Sequence, residues 1–338
     1  MTFTGVGAKV TKMNITKTVA RVLATTSLLL VAFASAAAVA QEFPKGPVRI
    51  IVPLPPGGPT DIIARLMSQK LQLLWSQPVV IDYKPGAGTV IGTDAVAKSA
   101  PDGRTIGVVV SSYTINPVLN RSMPYDTLKD LAGVTRLVNI PLVLAAHPDA
   151  PFDDIKGLVG YAKRNPGKLS YATPGAGGTA HLAGEILNDA AGIDLVHGPY
   201  KGSAPAQTDV LGGRVPLMID PLFSALPYVR AGRMKVIAVT TENRVPGFEQ
   251  YPTVAETFPG FNVSSLLGFV VPSATPRAIV KTISADSVKA LNLPDVRSRI
   301  MELGNEVIGS TPEEFDGFVA AEIMRWNKVI TEKGIRAE

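Results

Sequence analysis

Short apolar runs alternate with longer amphipathic stretches along this chain from about residue 45 to its end. Val48–Val52 (VRIIV) is β-branched except for Arg49 and predicts a largely buried parallel strand. Pro53, Pro55, Pro56, Gly57 and Gly58 stop it, and Ile62, Ile63, Leu66, Met67, Leu71 and Leu74 then recur at helical spacing up to Trp75. The same reading gives strands at 78–82 and 105–110, a turn at Gly86-Ala87-Gly88, and helices at 90–98 and 113–119. In the middle it predicts strands at 142–146, 169–172, 195–200, 215–220 and 235–240. Helices lie between them at 152–164, from Gly178 to Ala191, at 204–211 and at 222–230, with Asp153 or Asp154 placed to cap the first. The last third reads as a strand at 266–271 and helices at 276–291, 294–303 and 312–332.

Strand and helix alternating in this way predict an α/β fold of parallel sheets flanked by helices. With 338 residues the chain is too long for one ordinary core and suits two lobes. The central block, 142–242, is a self-contained βαβ array. Residues 41–141 together with 243–338 are expected to form the other lobe, with crossings at Pro141 and at 242–247 (ENRVPG).

The first 40 residues carry Lys9, Lys12, Lys17 and Arg21 and no acid, followed by an apolar run from Val22 to Ala34 and then Ser35, Ala36, Ala37, Ala38, Val39 and Ala40. A basic segment, an apolar segment and an A-x-A end predict a secretory leader, residues 1–40, cleaved after Ala40. The apolar run is too short and too rich in Ala and Thr to make a stable membrane anchor. Losing four basic residues takes the formal charge of +5 to +1 for the mature chain, so the basic balance gives no warrant for nucleic-acid binding. Cysteine is absent, which excludes disulfides, thiolate metal sites and thiol nucleophiles and suits an oxidising compartment.

Two segments join a predicted strand to a predicted helix through glycines. One is 53–61 (PLPPGGPTD); the other is 172–181 (ATPGAGGTAH). A helix start offers unpaired N–H groups and a partial positive charge, and glycine lets an anion approach them. Each segment also reads as an ordinary tight turn, with Thr60 or Asp61 capping the first. Facing each other across a cleft, they would hold a small acid from both sides. Ser111, Ser112, Tyr113, Thr114, Ile115 and Asn116 follow a third strand and offer hydroxyl and amide groups, or simple caps. Asp220 ends a strand, where it either binds a ligand or caps the next helix. A phosphate loop needs a Lys after Gly178, and none is there. Gly175, Gly177 and Ala180 meet the looser dinucleotide fingerprint, but the next strand ends in Tyr200-Lys201 rather than an acid. His147, His181 and His197 lack zinc-hydrolase spacing, no G-x-S-x-G elbow occurs, and His181 with Glu185 reads better as a packing pair than as metal ligands.

Taken in order, PLPPGGPTD (53–61), KPGAGT (84–89), APDGR (100–104), TPGAGGTAHL (173–182), Tyr200-Lys201-Gly202 and RAGRMKVIAVTT (230–241) resemble the Bug-type extracytoplasmic receptors of tripartite tricarboxylate transporters. The likeness covers essentially the whole mature chain. It implies a two-lobed Venus-flytrap fold and a monomeric periplasmic binding protein. Such a protein takes a dicarboxylate, amino acid or aromatic acid, without cofactor, metal or catalysis, and serves integral-membrane transporter subunits. It also implies a carboxylate held by backbone N–H groups and waters at two loops. Here these match Leu54, Pro56, Gly57, Gly58 and Thr60, and Thr173, Gly175, Gly177, Gly178 and Thr179, with Ser111, Asn116 and Asp220 as further polar contacts. Leu54 stands where an aromatic residue is expected, Gly198 where valine is usual, and Pro221 where asparagine is common, so the ligand is not fixed by the resemblance. A sensory receptor needs only the same binding and closure. An exported enzyme on this fold would need a catalytic set that the sequence does not offer.

Overall fold

The computed structural model describes residues 43–120 and 122–336, together with residues 1, 2, 5 and 7. The apolar run and cleavage site of the expected leader lie outside the described residues. The chain separates into Met1–Phe43 and Pro44–Glu338, and every element below belongs to the second.

Strand β1 (Val48–Val52) lies parallel between β2 (Val79–Tyr83) and β3 (Thr105–Val110). Helices α1 (Pro59–Trp75), α2 (Val90–Ala97) and α3 (Ser112–Leu119) follow β1, β2 and β3. Strand β4 (Leu131–Ala146) comes next, then α4 (Ile155–Arg164), β5 (Ser170–Thr173), α5 (Thr179–Ala191) and β6 (Val196–Pro199). They are followed by α6 (Ser203–Leu211), β7 (Leu217–Pro221), α7 (Leu222–Arg230) and β8 (Lys235–Val239). The chain ends with β9 (Ser264–Pro272), α8 (Arg277–Leu291), α9 (Pro294–Glu302), β10 (Glu306–Val307) and α10 (Pro312–Lys333). Local chemistry sets the ends of these elements. Asp154 caps α4 by accepting from the Gly157 N–H at 2.7 Å, and Thr311 forms a capping box with Glu314 at the start of α10. Gly192 and Gly334 close α5 and α10 in the left-handed conformation.

Among the described residues the strands form one hydrogen-bonded sheet in the order β2-β1-β3-β9-β4-β7-β5-β6, with β8 and β10 also paired to β4. β4 links its two halves. Residues 131–141 pair with β9, whereas 142–146 pair with β7 and β8. Pro141, which has no N–H to donate, stands where the partners change. The sequence pattern predicts only the second half of β4. Its first half carries two register shifts, at Gly133/Thr135 and Arg136/Val138, and each extra residue breaks the alternation that marks a strand.

In the second half, alternate residues of β4 enter different cores. Leu142, Leu144 and Ala146 pack with residues of α4 and α5, while Val143 and Ala145 pack with residues of α6 and α7. α10 crosses from one half to the other. Phe315 and Val319 join the core that holds Ile51 and Val109, and Trp326 and Ile330 join the core that holds Leu144 and Tyr171. No helix among the described residues is long and apolar enough to cross a membrane.

Candidate functional site

The parallel strands set the site, because each one delivers the following loop at its carboxyl end. After β1, Leu54 is half-buried and Pro56 and Gly57 are exposed. Gly57 has φ +96°, in the region that favours glycine, and Gly58 is the extended N-cap of α1. The Gly57 N–H donates to Asp61 Oδ2 at 2.8 Å. Asp61 Oδ1 accepts from Arg65 Nε at 2.9 Å and from the Tyr83 hydroxyl at 2.5 Å. Burial pushes the Asp61 carboxyl up, but the bonds from Tyr83, Gly57 and Arg65 outweigh it and hold its pKa below the ordinary value. The N–H groups of Gly58, Thr60 and Asp61 make no hydrogen bond among the described residues. The Thr60 hydroxyl, on a residue only 8% exposed, is likewise uncommitted among them.

The loop after β5 repeats this construction. Gly177 has φ +68°, Gly178 is the extended N-cap of α5, and the Gly177 N–H donates to His181 Nδ1 at 3.0 Å. Gly57-Gly58-Pro59-Thr60-Asp61 and Gly177-Gly178-Thr179-Ala180-His181 are thus two copies of one device. In both, a left-handed glycine is tied to the side chain four residues on, and a glycine cap opens the helix. The N–H groups of Gly178, Thr179, Ala180 and His181 make no hydrogen bond among the described residues. The second copy has four such donors against three in the first, where Pro59 has none to give. Behind the loop, Thr173 is fully buried; its hydroxyl bonds Gly175 O at 3.1 Å and lies 2.7 Å from His197 Nε2. The Gly202 N–H donates to Pro174 O at 2.8 Å and fixes the loop to the segment after β6.

α3 brings the halves into contact. Asn116 Nδ2 donates to Gly88 O at 2.8 Å, tying α3 to the turn after β2. One turn on, Leu119 lies against the second loop, so closely that a Cβ added at Gly177 would sit 2.6 Å from Leu119 Cδ1. Ser111, only 7% exposed, accepts the Leu266 N–H at 3.0 Å and fastens the start of α3 to β9.

Residues 63–335 match the tripartite tricarboxylate transporter family receptor. The chain belongs to that family. Solved structures like it include periplasmic binding protein BugD, 33% identical with a TM-score of 0.73, covering 88% of this chain and 100% of that one. R. palustris Rpa4515 with adipate is 33% identical, with a TM-score of 0.77 and coverage of 87% and 99%. MatC (Rpa3494) from Rhodopseudomonas palustris with bound malate is 31% identical, with a TM-score of 0.72 and coverage of 85% and 100%. The receptor has the two-lobed fold of these periplasmic binding proteins.

The remaining polar candidate lies deeper in the receptor. Asp220, at the end of β7, has no exposed surface. Its carboxylate accepts from Ser203 Oγ at 2.6 Å and Gln207 Nε2 at 2.9 Å, and Gln207 also reaches Ser224 Oγ at 2.7 Å. Burial pushes its pKa up to about 6 in spite of these bonds. Two concavities among the described residues lie elsewhere. One of ≈ 640 Å³ is lined by Arg230, Phe248 and Arg299, and one of ≈ 520 Å³ by Met123, Tyr125 and Ile323. Neither has a candidate ligand-contacting residue in its wall. Reading the sequence for binding groups misses Leu119 and the pairing of His181 with His197. The repeated Gly-Gly-x-x-Asp/His pattern is the signal that could have brought out Asp61 and His181 together.

Proposed function

We propose that this receptor captures a small carboxylate in a cleft between its lobes and passes it, unaltered and without a cofactor, to integral-membrane transporter subunits. It works as a monomer in the periplasm, after export by the leader and cleavage at Ala40. Residues 41–141 with 243–338 make one lobe and 142–242 the other, with the C-terminal part of α10 reaching across to the core of the second.

The repeated cradle carries this reading. Two helix starts, one after β1 and one after β5, each keep a set of N–H donors uncommitted among the described residues. Preorganised donors at a helix N-terminus suit a carboxylate, and glycine lets it come close. Solved relatives with adipate and with malate agree in ligand class. Direct contacts are assigned to Leu54, Pro56, Gly57, Gly58 and Thr60 from one lobe, and to Thr173, Gly175, Gly177, Gly178 and Thr179 from the other, with Asn116 beside them. Ser111 and Asp220 act one step behind. Ser111 holds α3 on β9, and Asp220 holds Ser203 at the start of α6.

A thermal-shift screen tests the proposal, because anything that binds the folded state raises its apparent stability. The chain from Gln41 onward, unfolded and refolded to strip any carried ligand, is screened against mono-, di- and tricarboxylates, amino acids and aromatic acids. One class of acid is expected to raise the melting temperature and to be recovered unchanged. No shift with any of these acids, or turnover of the bound one, overturns the reading.

A further inference from the structure

Two stacked histidines lie beneath the second cradle, and carboxylate binding as described gives them no task. The rings of His181, on α5, and His197, on β6, are 3.6 Å apart between centroids and 9° from parallel. Each ring is bonded to the loop. His181 Nδ1 accepts the Gly177 N–H at 3.0 Å, and His197 Nε2 meets Thr173 Oγ1 at 2.7 Å, which in turn meets Gly175 O at 3.1 Å. A carbonyl can only accept, so the Thr173 proton points to Gly175 and His197 must donate from Nε2. His181 accepts on Nδ1 and therefore carries its proton on Nε2. Both rings are fixed as the same neutral tautomer, with a bare Nδ1.

Few charged groups face the pair. Glu185, one turn along α5, has Oε1 3.8 Å from His181 Nε2 and takes the Tyr171 hydroxyl at 3.1 Å. Tyr171, on β5, also reaches His181 O at 3.3 Å, and its ring lies 5.2 Å from that of His197. Lys333, at the end of α10, is paired with Asp189 of α5, and both act on Glu185. Burial holds the Glu185 pKa above its ordinary value. A second proton on either histidine must go to Nδ1. At His181 that sets two donors against each other across 3.0 Å, and at His197 it stacks a cation on its neighbour. Burial pulls the pKa of each ring down to about 4, with His181 adding to the effect at His197.

We propose that His181 and His197 are positioning residues of the second loop, which keeps its cradle shape only while His181 Nδ1 carries no proton, so that acid releases it. The consequence for ligand binding rests on the carboxylate reading above; the link between ring and loop does not. A ring that titrates near 4 with the loop in place, and near the ordinary 6.5 once it is released, shifts the balance between the two shapes about 20-fold from pH 7 to pH 5. The first cradle does not share this behaviour. There Asp61 takes the place of His181, and its hydrogen bonds keep it ionised below the ordinary carboxylate range.

Nitrogen NMR on the ¹⁵N-labelled protein from pH 7.5 to 3.0, across the titration of His181, tests the proposal without any ligand, so the outcome is separate from that of the acid screen. The Gly177 amide is expected to move with the midpoint of His181 while the amides of Ile50 and Ile106, in β1 and β3, stay in place. His181→Asn puts a non-titrating acceptor where Nδ1 stood and should hold the Gly177 amide at its neutral position throughout. His181→Ala should put it at the acid position already at pH 7.5. A Gly177 amide that ignores the titration of His181, or that is unmoved by His181→Ala, overturns the proposal, and the wild-type profile alone decides if a variant fails to fold.

Discussion

Replacing Asp220 with asparagine should make the receptor more stable at neutral pH. The carboxyl is fully buried, and its pKa stands at about 6 in the folded protein against an ordinary 3.8. Between those values the folded state keeps a proton that the unfolded chain has lost. Stability therefore falls as pH rises through this window and levels off above it. At 1.36 kcal/mol for each factor of ten in acidity, the ionised group costs about 3 kcal/mol at pH 7. Asparagine can keep both contacts, its oxygen accepting from Gln207 and its nitrogen donating to Ser203 Oγ. The assay is urea unfolding of wild type and Asp220→Asn at pH 4, 5, 6 and 7, read as the difference between them. Taking that difference removes the opposing trend of His181 and His197. Their pKa values are pulled down to about 4, so they cost stability as pH falls from 6.5 towards 4. The variant should match wild type near pH 4 and exceed it by up to about 3 kcal/mol at pH 7. A difference that stays flat with pH, or a variant that weakens as pH rises, would refute the reasoning.

Gly177→Asp should lower carboxylate affinity about 5- to 30-fold, since the free loop relaxes out of a left-handed shape that costs a side chain about 1–2 kcal/mol to restore on binding, before its charge meets the ligand. Calorimetric titration of a variant shown to be folded checks this, and unchanged affinity would remove the second loop from the site. Trp326→Ala should cost about 3–5 kcal/mol of stability, because the ring is 1% exposed and its Nε1 bonds Thr114 Oγ1 at 3.2 Å. A loss below about 1 kcal/mol on urea unfolding would mean that α10 is not anchored there.

Much of this architecture is legible from local patterns. The β-branched run at Val48–Val52 and the proline and glycine after it give both the first strand and the first cradle, because a strand's end and a helix's start are local events. The first half of β4 escapes, since its bulges interrupt the alternation. α10 is visible as a helix, but its apolar residues do not say that Phe315 and Trp326 enter different cores. Asp220 looks from sequence like a group at a strand end, open to ligand or cap. Only the packing of α6 and α7 around β7 shows that Ser203 and Gln207 already hold it. His181 and His197 stand on different elements, and no period joins them. Their stacking follows from the parallel pairing of β5 and β6 beside α5, which is tertiary information.

In the proposed complex, carboxylate oxygens seat on backbone N–H groups at two copied helix starts. The most direct measurement is a crystal structure of the receptor with the acid that the screen selects. Carboxylate oxygens are expected within hydrogen-bond distance of N–H groups among Gly178–His181 and Gly58–Asp61. The same acid seated instead in the concavity between Arg230, Phe248 and Arg299, with both cradles left to water, would contradict it.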